Sequence, residues 1–130
     1  MNAPATVLAI EDNAPLRNMI QRRLERLNFD VHVAENGEQG ERLARSIQPD
    51  IILMDMHLPG KNGWEIAADL KRSEETRGIP IIAVTAHAMA GDRERTIRAG
   101  CNDYISKPID FHILEEKIRY LINGTAVPVR

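Results

Sequence analysis

Short apolar runs bounded by turn formers alternate along this chain with stretches whose apolar residues recur at helical spacing, and the alternation repeats five times. Residues 6–10 read as a buried strand. Leu16, Met19, Ile20, Leu24 and Leu27 then fall at steps of three, one, four and three, forming one stripe of a helix whose opposite face is rich in arginine. Val31 and Val33 alternate with His32 in a short second strand, and Asn36-Gly37 opens a helix carrying Leu43, Ala44 and Ile47, closed by Pro49. Residues 50–54 include Ile51, Ile52 and Leu53 in succession, the continuous apolar run of a central parallel strand covered on both faces. Pro59, Gly60 and Asn62-Gly63 make residues 56–63 a loop, and Trp64, Ile66, Ala67 and Leu70 begin a third helix. Residues 80–84 and 104–106 are the fourth and fifth strands. Residues 90–99 form a helix ending at a Gly100 cap, and residues 110–122 the last helix, with Phe111, Leu114, Ile118 and Leu121 on one side.

Five strands alternating with five helices predict an α/β fold with a doubly wound, five-stranded parallel sheet, because parallel neighbours need crossovers and right-handed crossovers place helices on both faces. At 130 residues the expected strand order is 2-1-3-4-5, the flavodoxin-like arrangement with five flanking helices. Residues 1–122 are expected to form one domain, with 123–130, containing Gly124 and Pro128, as a flexible tail. Ligands bind such sheets beyond the carboxyl ends of the strands, where the strand order reverses, here between strands one and three.

Composition narrows the function. Apolar residues at 43% and charged residues at 28% are those of an ordinary globular domain, which at this size buries about 65 to 70% of its unfolded surface. Seventeen Lys plus Arg against nineteen Asp plus Glu leave a formal charge of −2, so the footprint of direct DNA binding is missing, and aromatics at 4% leave little for base stacking. The lone Cys101 cannot form an internal disulfide, no apolar run approaches a membrane span, and no charged leader precedes an apolar stretch. A cytoplasmic protein without membrane contact is expected.

The strand ends carry Glu11 and Asp12, Asp55, Thr85 and Lys107. Carboxylates beside the switch point repel, by about 3 kcal/mol per pair at ~5 Å and an effective dielectric of ~20. A hard cation such as Mg²⁺ removes that conflict, taking carboxylate, water and phosphate oxygens. Asp55, at the end of a central strand, is then placed as a nucleophile able to form an acyl phosphate. The charge so gained needs cations, the metal on one side and Lys107 on the other, while Thr85 can donate to a further phosphoryl oxygen. Each residue has a plain reading when taken singly. Asp12 or Asn13 before Pro15 can cap a helix, Thr85 can be a β-branched strand residue, and Lys107 can be solvated. Their joint placement at four strand ends favours the site.

These residues resemble those of the receiver domain of bacterial two-component response regulators, over residues 6–122. The likeness rests on four ordered blocks: Val7-Leu8-Ala9-Ile10-Glu11-Asp12-Asn13, Asp55 with Pro59 and Gly63, Thr85-Ala86, and Tyr104-Ile105-Ser106-Lys107-Pro108. It implies that Asp55 accepts a phosphoryl group from a histidine kinase, a histidine phosphotransfer protein or a small donor such as acetyl phosphate. It further implies that Asp12 and Asp55 ligate Mg²⁺ directly, with the main-chain carbonyl of His57, and that Glu11 acts largely through metal-bound water. Lys107 would pair with the phosphoryl group, and the Lys107-Pro108 peptide would be cis. Thr85 would move toward the phosphoryl oxygens while Tyr104 turns inward, a population shift that changes the surface of helix four, strand five and helix five. Glu11 stands where many relatives carry Asp. Residues 85–108 look most like receivers of hybrid histidine kinases and single-domain cell-cycle regulators.

His57 and His87 lie two residues beyond Asp55 and Thr85 and are expected to flank the path of attacking water, or simply to be exposed loop histidines. A zinc site from His32, His57, His87 and His112 lacks the close spacing it needs. The charge run Asp92, Arg93, Glu94, Arg95 and Arg98 is either a solvated face or a docking surface. The expected function is a phosphorylation-dependent signalling receiver that catalyses only its own phosphorylation and dephosphorylation. Its alternatives are a phosphorelay intermediate or a receiver excised from a hybrid kinase. A phosphoaspartate phosphatase would need a second acid where Asp55-Met56-His57 has none. A flavin or nucleotide binder would need a glycine-rich loop where Glu11-Asp12-Asn13-Ala14-Pro15 stands.

Overall fold

The computed structural model describes residues 3–86 and 90–123. Five strands, β1 (Thr6–Ile10), β2 (Asp30–Ala34), β3 (Ile51–Asp55), β4 (Ile81–Thr85) and β5 (Asp103–Ser106), alternate with helices α1 (Ala14–Arg26), α2 (Gly37–Ile47), α3 (Gly63–Arg72), α4 (Ala90–Arg98) and α5 (Phe111–Asn123). All pairings are parallel, as the alternation predicts, and the order is β2-β1-β3-β4-β5, the one expected for a flavodoxin-like sheet of this size. The sheet is therefore doubly wound, with β1 and β3 adjacent at the reversal.

Strand periodicity sorts the core into two layers. Leu8, Ile10, Ile52, Met54, Ile81 and Ala83 point to one face, where Ala44 of α2 and Ile66, Ala67 and Leu70 of α3 cover them. Val7, Ala9, Ile51, Leu53, Ile82 and Val84 point to the other and pack on Ile20 and Leu24 of α1 and on Phe111, Leu114 and Ile118 of α5. Every residue of β3 and β4 is buried, which is why these strands read as unbroken apolar runs.

Asparagine side chains start three of the helices. Asn13, Asn36 and Asn62 accept from the main-chain N–H of Leu16, Gln39 and Glu65 at 2.9, 2.9 and 3.0 Å. Glu65 answers to the Asn62 N–H, closing a capping box. The structure thus decides between Asp12 and Asn13: Asn13 is the cap.

Several boundaries differ from those expected. Asp55 and Thr85 are the last residues of β3 and β4 rather than the first beyond them, and β4 starts after Pro80, which has no N–H to offer a neighbouring strand. Gly63 is the first residue of α3 rather than the last of a loop, because the Asn62 cap starts the helix there. Gly100 adopts a φ of 103° just beyond α4, the conformation that ends a helix. Helix α5 includes Asn123, and the rest of the expected tail, with His87, lies outside the described residues. Among the described residues no helix is long and apolar enough to cross a membrane.

Candidate functional site

The reversal of strand order brings the end of β1 beside the end of β3, and with them three carboxylates. One oxygen each from Glu11, Asp12 and Asp55 lies within 4.8 Å of the others. Glu11 and Asp55 are buried, and Asp12 is exposed at the mouth. Local hydrogen bonds aim them: the Asn13 N–H donates to Glu11 Oε2 at 3.1 Å, and the His57 N–H to Asp55 Oδ1 at 3.0 Å. Because Asn13 caps α1, the Asp12 carboxylate stays available to the cleft.

Lys107 arrives from the end of β5. Its N–H donates to the Thr85 carbonyl at 2.8 Å, and its Nζ stands 3.4 Å from Glu11 Oε1 and 3.6 Å from Asp55 Oδ2. One ammonium against three carboxylates leaves the pocket with an excess of negative charge. Burial pushes the Glu11 carboxyl up to about 7, and the neighbouring Asp55 charge adds to this, against the Asn13 N–H and Lys107, which favour the ionised form. An all-oxygen donor set carrying surplus charge fits a hard divalent cation and suits neither a soft metal nor an anion alone.

Thr85 is buried beside this cleft at the end of β4. Tyr104 is half-buried on β5, packed against the α3-side core, with the Arg93 guanidinium 5.7 Å from its ring centre. The Lys107-Pro108 peptide is cis. The imidazole of His57 is exposed and meets the edge of Trp64, ring centres 5.3 Å apart. Thus Glu11, Asp12, Asp55 and Lys107 converge on one pocket, with Thr85 and His57 alongside, while Tyr104 sits one layer away.

Three further residues shape the site through contacts that their sequence patterns did not give. Gly63 is forced by contact: a Cβ there would lie 2.6 Å from the Asp55 carbonyl oxygen and 2.7 Å from Met56 Cα, so only glycine lets α3 close against the acidic strand end. Arg17, on the arginine-rich side of α1, folds back so that Nη1 donates to the carbonyls of Glu11 and Asp12 at 3.0 and 3.3 Å, while Nη2 reaches Glu35 at 3.5 Å. The one signal for it was its place a helical turn beyond the Asn13 cap. Trp64, counted as a core residue of α3, also donates through Nε1 to Thr96 of α4.

The sequence profile described as the response regulator receiver domain matches residues 7–119. The polar-differentiation response regulator DivK of Brucella anthropi is 41% identical over 116 residues, spanning 89% of this chain and 94% of DivK. The crystal structure of the receiver domain of sensor histidine kinase PA1611 from Pseudomonas aeruginosa, with a magnesium ion in its active-site cleft, superposes with a TM-score of 0.86. It is 36% identical and the match covers 93% of this chain and 99% of that one. The receiver domain of Ssk1 from Saccharomyces cerevisiae, crystallised with the histidine phosphotransfer protein Ypd1, gives a TM-score of 0.87 at 26% identity, over 98% of this chain and 94% of the other.

Proposed function

The chain belongs to the response regulator receiver family, and from that premise we propose that Asp55 is its phosphoryl acceptor and that Glu11, Asp12, Asp55 and the His57 main-chain carbonyl hold a Mg²⁺ ion. The convergence of three strand-end carboxylates under the Lys107 ammonium carries this reading. The PA1611 receiver, with magnesium in the corresponding cleft, supports it. Bound there, Mg²⁺ offsets the carboxylate charge and polarises the incoming phosphoryl group.

The chain's own residues do the rest. An Asp55 oxygen attacks phosphorus as the P–N bond of a donor phosphohistidine breaks, and the departing imidazole nitrogen takes up a proton. Lys107, already 3.6 Å from Asp55 Oδ2, pairs with the oxygens of the new acyl phosphate. The Thr85 hydroxyl donates to another of these oxygens, and Tyr104 fills the space Thr85 leaves. The Arg93 cation over the Tyr104 ring makes α4 a direct neighbour of that motion. Hydrolysis of the acyl phosphate by water returns the free carboxylate, so this self-modification is the only chemistry assigned to the protein.

The donor is a histidine kinase or a histidine phosphotransfer protein, the latter supported by the Ypd1 complex of the Ssk1 receiver. Likeness to the kinase-borne PA1611 receiver favours a second placement, as an intermediate that passes its phosphoryl group to a phosphotransfer protein. Incubation with Mg²⁺ and acetyl phosphate, read by intact mass, is expected to add one phosphoryl group that hydroxylamine removes. Asp55→Asn abolishes it; an adduct of equal yield in Asp55→Asn would place the acceptor elsewhere.

A further inference from the structure

Over its described side chains, residues 91–98, helix α4 is held by very little apolar surface. Across residues 91–98 the only buried side chain is Thr96, and the one large apolar side chain, Ile97, is 57% exposed. Helix α3, by contrast, buries Trp64, Ile66, Ala67 and Leu70. Nine residues are too few for helical propensity alone to sustain α4 in water, so its position depends on the contacts it makes. Trp64 supplies two of them. Its Nε1–H donates to Thr96 Oγ1 at 3.2 Å in a buried setting, and the Arg95 guanidinium lies 3.9 Å from the centre of its rings.

The same indole touches the phosphoryl-acceptor loop. His57 meets it edge-on at an interplanar angle of 86°, and the His57 N–H donates to Asp55 Oδ1 at 3.0 Å. One side chain therefore contacts both the loop that starts at Asp55 and a helix whose described side chains bury almost no apolar surface. An indole has a single N–H, so a helix that slides past it strips a buried donor of its partner, and the contact favours one position of α4 over its neighbours.

We propose that Trp64 is a positioning residue that clasps α4 to the acceptor loop, so that a change at Asp55 reaches α4 through His57, Trp64 and Thr96. This rests on the reading of Asp55 as acceptor and adds a route that passes through neither Thr85 nor Tyr104. Because few other side chains of the described residues 91–98 are buried, local opening of this part of α4 is governed by the loss or retention of this clasp.

Trp64 is the only tryptophan of the chain, so its emission reports the clasp directly. The test compares the parent with Thr96→Val, which keeps the shape and removes the acceptor, and Thr96→Ser, which restores the hydroxyl. Amide hydrogen exchange and tryptophan emission are measured before and after Mg²⁺ with acetyl phosphate, and intact mass counts the adduct. Thr96→Val is expected to speed exchange of α4 amides about five- to tenfold while β1 and β3 stay at parental rates. It still forms the adduct, yet loses at least half of the emission change that the adduct causes in the parent. Thr96→Ser recovers both signals. Exchange of α4 within twofold of the parent in Thr96→Val, or a full emission response there, overturns the proposal. So does an adduct in the parent that changes neither emission nor α4 exchange. Absence of any adduct in the parent overturns the acceptor assignment instead, and the exchange comparison without donor still decides whether the clasp exists.

Discussion

Replacing Gly63 with alanine probes the packing that seats the acceptor strand. The added Cβ would sit 2.6 Å from the Asp55 carbonyl oxygen and 2.7 Å from Met56 Cα, against about 3.4 Å for an ordinary contact, so α3 and the strand end must part by about 0.8 Å. Both obstacles are main chain and cannot rotate away. Overpacking of this kind costs about 1–3 kcal/mol. Displacement also weakens the Gly63 N–H bond to the Met56 carbonyl, 3.1 Å in the parent, by about 1 kcal/mol net. Alanine returns about 0.5–1 kcal/mol by restricting the unfolded chain. The balance is a loss of about 1–3.5 kcal/mol, or about 4–13 °C in Tm for a chain of this length. Thermal unfolding followed by circular dichroism measures it, and Gly91→Ala is the control, since nothing lies within 4 Å of a Cβ built on Gly91. That control should melt at the parental temperature or slightly above. Mg²⁺ affinity of Gly63→Ala should fall tenfold or more as the Asp55 backbone shifts. A Gly63→Ala protein that melts with the parent and binds Mg²⁺ as tightly would refute the close approach of α3 to the acidic strand end.

Glu11, raised to about 7 from 4.5, binds its proton more readily folded than unfolded, so its contribution makes stability fall as pH rises from about 4.5 to 7 and stay level above. Urea unfolding without divalent ions should show that decline in the parent and not in Glu11→Gln; equal slopes would contradict the burial cause. Added Mg²⁺, which needs ionised carboxylates, should stabilise the parent more at pH 7.5 than at pH 5.5. Arg17→Met removes a cation held against the Glu11 and Asp12 main chain, and the loss of its repulsion alone would tighten Mg²⁺ binding. The loss of its bonds to the Glu11 and Asp12 carbonyls is expected to weaken binding about tenfold instead, and calorimetric titration that finds tighter binding would count against the positioning role. Lys107→Ala should slow adduct formation from acetyl phosphate about 10²-fold in a mass-spectrometric time course, and an unchanged rate would remove Lys107 from the chemistry.

What the sequence determined was whatever depends on near neighbours along the chain. The unbroken apolar run at 51–53 announced a central parallel strand because both faces of β3 are covered, the alternation with helical stripes implied crossovers, and the flavodoxin-like order expected at this size supplied the reversal. Residues at strand ends could then be named as one site, since topology alone carries strand ends to a common edge. Tertiary structure decided what depends on distance between remote segments. Whether Asp12 or Asn13 serves the helix, how close Lys107 stands to Glu11 and Asp55, and how far burial shifts Glu11 follow from the packing of β1, β3 and β5, separated by tens of residues in the chain. The same holds for Arg17 and Trp64. Each obeys its local helical pattern, yet one turns back to grip the acidic loop and the other reaches across to Thr96, because a periodicity says which face of a helix is inward and not which atoms that face will meet.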